Sequence, residues 1–226
     1  MKGLSFSVVL ACCTMILASC QADKKVIMNQ QQLAQLTEQQ IIQFNQQSCA
    51  RQDRYEVLTS PSHALQLQLN QITQLLPKSI NGKVLNYRVY LNTQPAAWAS
   101  LNGCIRVTSG LLKTLNNNEV QAVIAHEIGH IALNHSINAF HAAKSAEIMS
   151  NGEIILLTPQ SLSQRQELEA DEFAIRLLKQ SHIDPNGLIT MMDKLNHHQK
   201  QTSYSHPDAI ARKNILIEKI HSPSTD

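Results

Sequence analysis

The chain is organised around the stretch AHEIGH at residues 125–130. It contains His126 and His130, which on a helix lie one turn apart on the same face, so that their ring nitrogens can approach a single metal ion. Glu127 follows the first histidine, where a carboxylate can accept a proton from a water molecule and later deliver it to a leaving amine. The pattern H-E-x-x-H therefore predicts a metal site with its own base.

The residues around this stretch favour a buried helix. Residues 116–118 can cap its N-terminus, Glu119 suits its first turn, and the run 120–133 is apolar apart mainly from the two histidines and the glutamate. Ionisable groups in such a helix are costly unless they are paired or bind a metal. The alternative is two core histidines that merely bond backbone carbonyls. The context favours one Zn²⁺ ion, held with one more protein ligand and a position left for water.

Length and composition indicate one mainly helical domain of the α+β class. The chain has 226 residues, of which 43% are hydrophobic and only 4% aromatic, and its net charge is +2. This length is sufficient for a sizeable core, and glutamine-rich segments suit helices with polar faces better than an all-β fold. No basic run is interleaved with aromatic residues, so nucleic acid is not expected as a partner.

Residues 1–19 have the organisation of a secretory signal. Lys2 is followed by an apolar segment at 4–17 that is short for a membrane span. The run LASC at 17–20 resembles a bacterial lipobox, in which Cys20 takes two lipid anchors and begins the mature chain. The alternative is an ordinary cleaved signal with an incidental cysteine. Gln21 stands where an aspartate would favour the inner membrane, so we expect the outer membrane, facing the periplasm.

The remaining cysteines fit an oxidising compartment. Cys12 and Cys13 leave with the signal, so Cys49 and Cys104 are the pair available for a disulfide. Two buried free thiols are the alternative. The predicted organisation is a signal at 1–19, a lipidated tether at 20–30 and a catalytic domain at 31–226.

The hydrophobic pattern predicts helices on both sides of a small sheet. We expect helices at 37–58, 62–76 and 161–179, and two more near the C-terminus; strands are predicted at 84–91, 96–100 and 104–108. The helix of His126 is expected to continue through His135 and as far as residue 150. The segment 153–159 can be either a lid or a packed loop.

The third metal ligand is expected on the helix at 161–179. Glu167, Glu169 and Asp171 compete for this role. Glu167 and Asp171 are four residues apart and share a face, whereas Glu169 lies about 200° around the helix from Glu167. A ligand and a carboxylate that orients a ligating histidine should share a face. Helical geometry therefore favours Glu167 as ligand, with Asp171 behind it, and predicts no part for Glu169; a solvated acidic face is the alternative.

Several motifs together resemble the HtpX and CaaX prenyl endopeptidase family of zinc metallopeptidases, in particular its small periplasmic lipoprotein branch. The motifs are NGCIRV at 102–107 with SGL at 109–111, HEIGH at 126–130 with His135, ELEAD at 167–171, and His206-Pro207 with Arg212. The resemblance spans about residues 49–220. It implies a gluzincin-type metallopeptidase domain with a small sheet next to the active-site helix.

The resemblance also implies roles for individual residues. His126, His130 and Glu167 would bind the zinc, Glu127 would be the catalytic base, and Asp171 would orient a ligand. His206 would approach the active site as an electrophilic helper or as an inhibitory plug. Arg212 would order the ligand-bearing helices.

The expected function is a membrane-anchored endopeptidase that hydrolyses polypeptides of the periplasm or outer membrane, misfolded proteins among them. A sheet edge near the metal helix would bind the peptide as an added strand. Envelope-protein assemblies are the further partners expected. The rival interpretation is a chaperone-like quality-control protein with a latent protease site, and a structural lipoprotein with incidental zinc is a third.

Overall fold

The computed structural model describes residues 25–198 and 209–221. Within these ranges no helix combines the length and the apolar character needed to cross a bilayer. The helices are α1 Gln30–Ala34, α2 Glu38–Tyr55, α3 Ala64–Ile72, α4 Ser109–Thr114, α5 Asn117–Ala132, α6 His135–Ala142, α7 Gln160–Gln180, α8 Gly187–His198 and α9 Ala209–His221. The strands are β1 Val26–Asn29, β2 Ser79–Ile80, β3 Lys83–Val84, β4 Asn86–Tyr90, β5 Ala97–Ala99, β6 Cys104–Thr108, β7 Ser145–Ile148 and β8 Ile154–Leu156.

The strands form three small sheets in the described part of the chain. In the sheet next to α5 the order is β4-β6-β5, with β4 parallel and β5 antiparallel to the central β6. The predicted hairpin of β5 and β6 is confirmed. Strands β2 and β3 form a two-stranded hairpin, and β1, β7 and β8 form an antiparallel sheet. The expectation of a mainly helical fold with small sheets is confirmed.

Helix α5 begins at a capping box. The Asn116 side chain accepts a hydrogen bond from the backbone N–H of Glu119, and the Glu119 carboxylate accepts one from the backbone N–H of Asn116. These bonds satisfy two of the N–H groups that a helix start leaves without partners. Lys194 of α8 also reaches Glu119, with Nζ 2.7 Å from Oε2. The start of the central helix is therefore fixed by local sequence and by one contact with α8.

The main core surrounds α5. Ile124 and Ile128 are fully buried in it, and helices α7 and α8 and strand β5 pack against α5. Helix α7 approaches α5 at Gly129: a Cβ atom built on Gly129 would lie 2.9 Å from the carbonyl oxygen of Ala170. Only glycine allows this separation. The two helices predicted to carry the metal ligands are therefore in backbone contact.

The region after the metal-binding stretch differs from the sequence expectation. Helix α5 ends at Ala132 rather than continuing to residue 150. Asn134 has φ of 54°, a left-handed conformation that ends one helix before α6 begins. Residues 145–148 form β7, because their backbone pairs with β1 and β8. The segment 153–159 contains β8, so three of its seven residues are a paired strand.

The folded part also begins earlier than residue 31. Val26–Asn29 is paired with β7, so the last residues of the predicted tether at 20–30 belong to a sheet. Helix α1 starts at Gln30, and Leu33 on it is fully buried. The sequence pattern did not indicate β1, because this strand is short and its partner β7 lies more than 100 residues away along the chain.

A disulfide connects α2 to the central strand of the sheet. Cys49 and Cys104 are bonded, which confirms the predicted pair. Beside it, the buried Arg106 donates hydrogen bonds to both carboxylate oxygens of Asp53 on α2, each 2.8 Å long. Tyr90 donates to the same carboxylate at 2.8 Å. The sheet and α2 are thus held together by a covalent bond and by an ion pair whose arginine is buried.

Candidate metal centre

Three side chains from α5 and α7 converge on one point. The Nε2 atoms of His126 and His130 are 3.0 Å apart. The Glu167 carboxylate lies 3.4 Å from each, through Oε2 to His126 and Oε1 to His130. His126 and Glu167 are buried, while 20% of the His130 side chain is exposed. The cluster therefore has one side that is open to solvent.

The spacing of these atoms fits a metal ion. All three candidate ligand atoms lie within 4.8 Å of one another. Two vertices of a tetrahedral zinc site with bonds of about 2.0–2.1 Å are about 3.3 Å apart, close to the observed separations of the donor atoms. Two imidazoles and a carboxylate are also a donor set that zinc proteases use. His126, His130 and Glu167 are thus the residues that would hold a metal here.

Asp171 fixes the orientation of His126. Its Oδ1 accepts a hydrogen bond from His126 Nδ1 at 2.8 Å, which leaves Nε2 facing the donor cluster. Burial alone would lower the pKa of His126, but hydrogen bonds with Asp171 and Glu167 raise it to about 10. Asp171 itself is fully buried. Asp171, four residues after Glu167 on α7, thus fixes the orientation of the His126 ring on α5.

Arg212 of α9 joins the two carboxylates of α7. It donates from Nε to Asp171 Oδ2 and from Nη2 to Asp171 Oδ1, both at 2.8 Å. Nη1 donates to Glu167 Oε2. The buried fork of donors therefore fixes both carboxylates in relation to each other. The C-terminal helix takes part in the site, as the resemblance implied for this arginine.

Glu127 lies within the electrostatic field of the same cluster. It is buried, with 4% of its surface exposed, on the turn of α5 that carries His126. Burial would lower the pKa of Arg212, but the charges of Asp171, Glu167 and Glu127 raise it. A carboxylate on the same helical turn as a candidate metal ligand is a group that can take part in proton transfer.

A third histidine, His135, contacts this cluster, and the sequence assigned no role to it. His135 Nδ1 lies 2.9 Å from Nδ1 of His130, and its Nε2 lies 3.2 Å from Oε2 of Glu169. Glu169 is not one of the three grouped donor residues, yet it contacts His135, which in turn contacts His130. Burial lowers the pKa of His135 below its ordinary value of 6.5.

The other predicted residues are placed as follows. His206 and Cys20 lie outside the residues that the structure describes. Strand β5 packs beside α5, and within the described ranges its second edge is not paired with another strand. The edge expected to receive a peptide is thus the strand that carries Trp98.

Comparison with known proteins identifies a peptidase family and several relatives. The model of Peptidase family M48 matches residues 63–219. Metalloprotease YcaL of Escherichia coli (strain K12) is 33% identical over 198 residues, which cover 78% of this chain and 78% of YcaL. Metalloprotease LoiP of the same organism is 35% identical over 178 residues, 71% of each chain. Protease HtpX of Psychrobacter sp. (strain PRwf-1) is 35% identical over 80 residues, 34% of this chain and 26% of that protein.

Proposed function

The chain belongs to peptidase family M48 and is a metalloendopeptidase, and from that premise we propose that it is a zinc enzyme that cuts proteins of the bacterial envelope. The observation that carries the proposal is the donor cluster of His126, His130 and Glu167 with the buried Glu127 beside it. A protein that only bound clients would have no need of this carboxylate. Misfolded proteins of the periplasm or outer membrane are the substrates we propose.

The side chains divide the work of hydrolysis. When bound, Zn²⁺ supplies a Lewis acid that polarises a peptide carbonyl and lowers the pKa of a water molecule to about 7. We assign His126, His130 and Glu167 to holding it. A carboxylate oxygen of Glu127 takes the proton from the attacking water and gives it to the nitrogen of the leaving amine. Asp171 and Arg212 orient His126 and Glu167 through the hydrogen bonds described above.

The substrate is proposed to bind as an extended strand along β5. This strand packs beside α5 and pairs with β6 through one edge. A peptide on its other edge would have its backbone groups satisfied by main-chain hydrogen bonds, which do not depend on the substrate sequence. Such a mode suits an enzyme that acts on unfolded segments of many proteins.

We propose that lipid on Cys20 anchors the enzyme to the outer membrane with the domain in the periplasm. Strand β1 begins at Val26, so the six steps of chain from Cys20 span at most about 20 Å. The domain would therefore lie close to the membrane surface. The disulfide between Cys49 and Cys104 is consistent with an oxidising compartment.

The proposal is tested by Glu127→Gln, which removes the proton acceptor and leaves the donor atoms in place. We expect hydrolysis of casein by the zinc-loaded enzyme to fall by about 100- to 10,000-fold, with unchanged zinc content and melting temperature. Glu172→Gln on α7 is the matched control. It makes the same charge change, and Glu172 lies at the surface, where it pairs with Lys219. Cleavage by Glu127→Gln within about tenfold of wild type would refute the base assignment.

The same variant also distinguishes the protease from a chaperone-like protein when aggregation of a client is measured. A chaperone-like protein would suppress aggregation of an unfolded client equally well in wild type and in Glu127→Gln, with or without a chelator. The proposed protease instead loses its effect on the client when the chelator is added. A wild-type protein that is loaded with zinc and never cuts casein or an unfolded client would favour the chaperone-like interpretation.

A further inference from the structure

The two ligand histidines are supported in different ways. His126 meets a carboxylate directly, through Asp171. At the Nδ1 of His130 lies the ring of His135, 2.9 Å away from Nδ1 to Nδ1, with the two rings at 74° to each other. The far nitrogen of His135 then meets the Glu169 carboxylate at 3.2 Å. The contacts form a line from Glu169 through His135 to His130.

Several contacts keep His135 in this position. It is buried, with 3% of its surface exposed, at the first position of α6. Its carbonyl oxygen accepts a hydrogen bond from Gln166 of α7 at 2.9 Å. The preceding left-handed residue, Asn134, accepts one from Lys83 of the β2-β3 hairpin at 3.1 Å. Three separate elements thus determine where the imidazole lies.

The hydrogen-bond roles along this line follow from the chemistry at its two ends. If Nε2 of His130 binds a metal through its lone pair, its Nδ1 carries the hydrogen and must donate. The Nδ1 of His135 must then accept, which puts the hydrogen of this ring on Nε2. A carboxylate at Glu169 is an acceptor, so the second contact is satisfied as well. One tautomer of His135 satisfies both neighbours.

We propose that His135, fixed by Glu169, is the positioning residue that orients His130 as a metal ligand. Asp171 orients His126 through one direct contact, whereas Glu169 acts on His130 through two contacts, with His135 between them. Groups that hold the second nitrogen of a ligating histidine fix its tautomer and ring plane, and their loss weakens metal binding by about 10- to 100-fold. The inference rests on the proposed metal site of His126, His130 and Glu167.

The effects should be graded along the line. His135 is buried against its ligand, whereas 48% of the Glu169 side chain is exposed and Arg165 lies 3.7 Å from it. Water can replace an exposed carboxylate as the acceptor for His135 Nε2, but at 2.9 Å the two Nδ1 atoms leave no space for a water molecule between the rings. The loss of Glu169 should therefore cost much less metal affinity than the loss of His135.

The test measures Zn²⁺ and Co²⁺ dissociation constants of the full mature protein by competition with a chelator. We expect His135→Leu to weaken binding by about 10- to 100-fold and Glu169→Ala by about threefold. His135→Asn should restore binding to within about threefold, because an asparagine amide oxygen can occupy the place of the imidazole Nδ1 and accept from His130. Glu172→Ala, an exposed carboxylate on the same helix, should leave both constants unchanged.

The readouts distinguish orientation from a merely structural role. Melting of the metal-free proteins reports the packing cost of each substitution, and the absorption of the Co²⁺ form reports the ligand geometry. Equal loss of metal affinity in His135→Leu and His135→Asn would overturn the inference, as would wild-type affinity in His135→Leu. Glu167→Ala tests the underlying site: if it abolishes binding while His135→Leu binds metal as tightly as wild type, only the inference fails.

Discussion

The contact between α5 and α7 makes Gly129→Ala a sharp test of the structure. Helix propensity alone predicts a gain of about 1 kcal/mol, since Gly129 lies inside α5. The added Cβ would however lie 2.9 Å from the carbonyl oxygen of Ala170 and 3.0 Å from its Cα. An ordinary contact requires about 0.5 Å more, so the two backbones must separate. Overpacking of this kind costs about 1–3 kcal/mol, which leaves a net loss of about 1 kcal/mol.

Metal affinity should respond more strongly than stability to this change. Ala170 is adjacent to Asp171 and three residues from Glu167, so a shift of about 0.5 Å moves the third ligand away from the two histidines by as much as a well-held site tolerates. We expect the zinc dissociation constant to rise by about tenfold or more, and the melting temperature of the metal-free protein to fall by a few degrees.

A second variant tests the origin of the effect. Gly129→Ala combined with Ala170→Gly removes the neighbouring side chain but not the backbone atoms that the new Cβ meets. We therefore expect no recovery of zinc affinity in the double variant, measured by the same chelator competition. Full recovery, or a single variant that is more stable than wild type and binds zinc normally, would show that the helices are not in backbone contact.

Two further predictions concern the network beside the sheet. Replacing both Cys49 and Cys104 by alanine should lower the free energy of unfolding by about 4 kcal/mol, since the bond closes a separation of 55 residues; two alkylatable thiols in the non-reduced mature protein would contradict the bond. Burial raises the pKa of Asp53, but hydrogen bonds from Arg106 and Tyr90 hold it below its ordinary value of 3.8. A carboxyl group with a lowered pKa stabilises the folded protein above about pH 4, and this stabilisation is lost as the pH falls through the pKa of the folded state. Asp53→Asn should therefore lower the free energy of unfolding at pH 7 by about 3 kcal/mol in urea titrations. The variant should also lose less stability than wild type as the pH falls below 4. Equal acid sensitivity of the variant and wild type would contradict this assignment.

Local patterns were sufficient to predict the two helices of the site. The capping box at Asn116 and Glu119 and the apolar run that follows predict where α5 begins, because capping and helical burial depend on residues three and four apart. The spacing of Glu167 and Asp171 likewise predicts the face of α7 that approaches α5. No pattern recognised in the sequence gives the angle or the separation at which these helices cross.

The role of His135 could not be read in the same way. On a continuous helix residues five apart lie about 140° from each other, so His135 would face away from His130. The left-handed conformation at Asn134 brings the ring back, and it is supported by the distant hairpin through Lys83. The sheet of β1, β7 and β8 was not predicted from the sequence for a related reason. Residues 145–148 form a strand through pairing with β1 and β8, and local sequence does not show this pairing.

The buried charges explain why a divalent cation suits the centre. Three carboxylates are buried at this centre, Glu127, Glu167 and Asp171, and Arg212 is a buried cation among them. With neutral histidines this group carries two negative charges more than positive ones, which is costly in a region shielded from water. A Zn²⁺ ion would balance both. Without the ion the same excess favours a proton on His126, whose pKa is raised to about 10. Metal binding must displace that proton, so the affinity of the site for zinc should increase with pH.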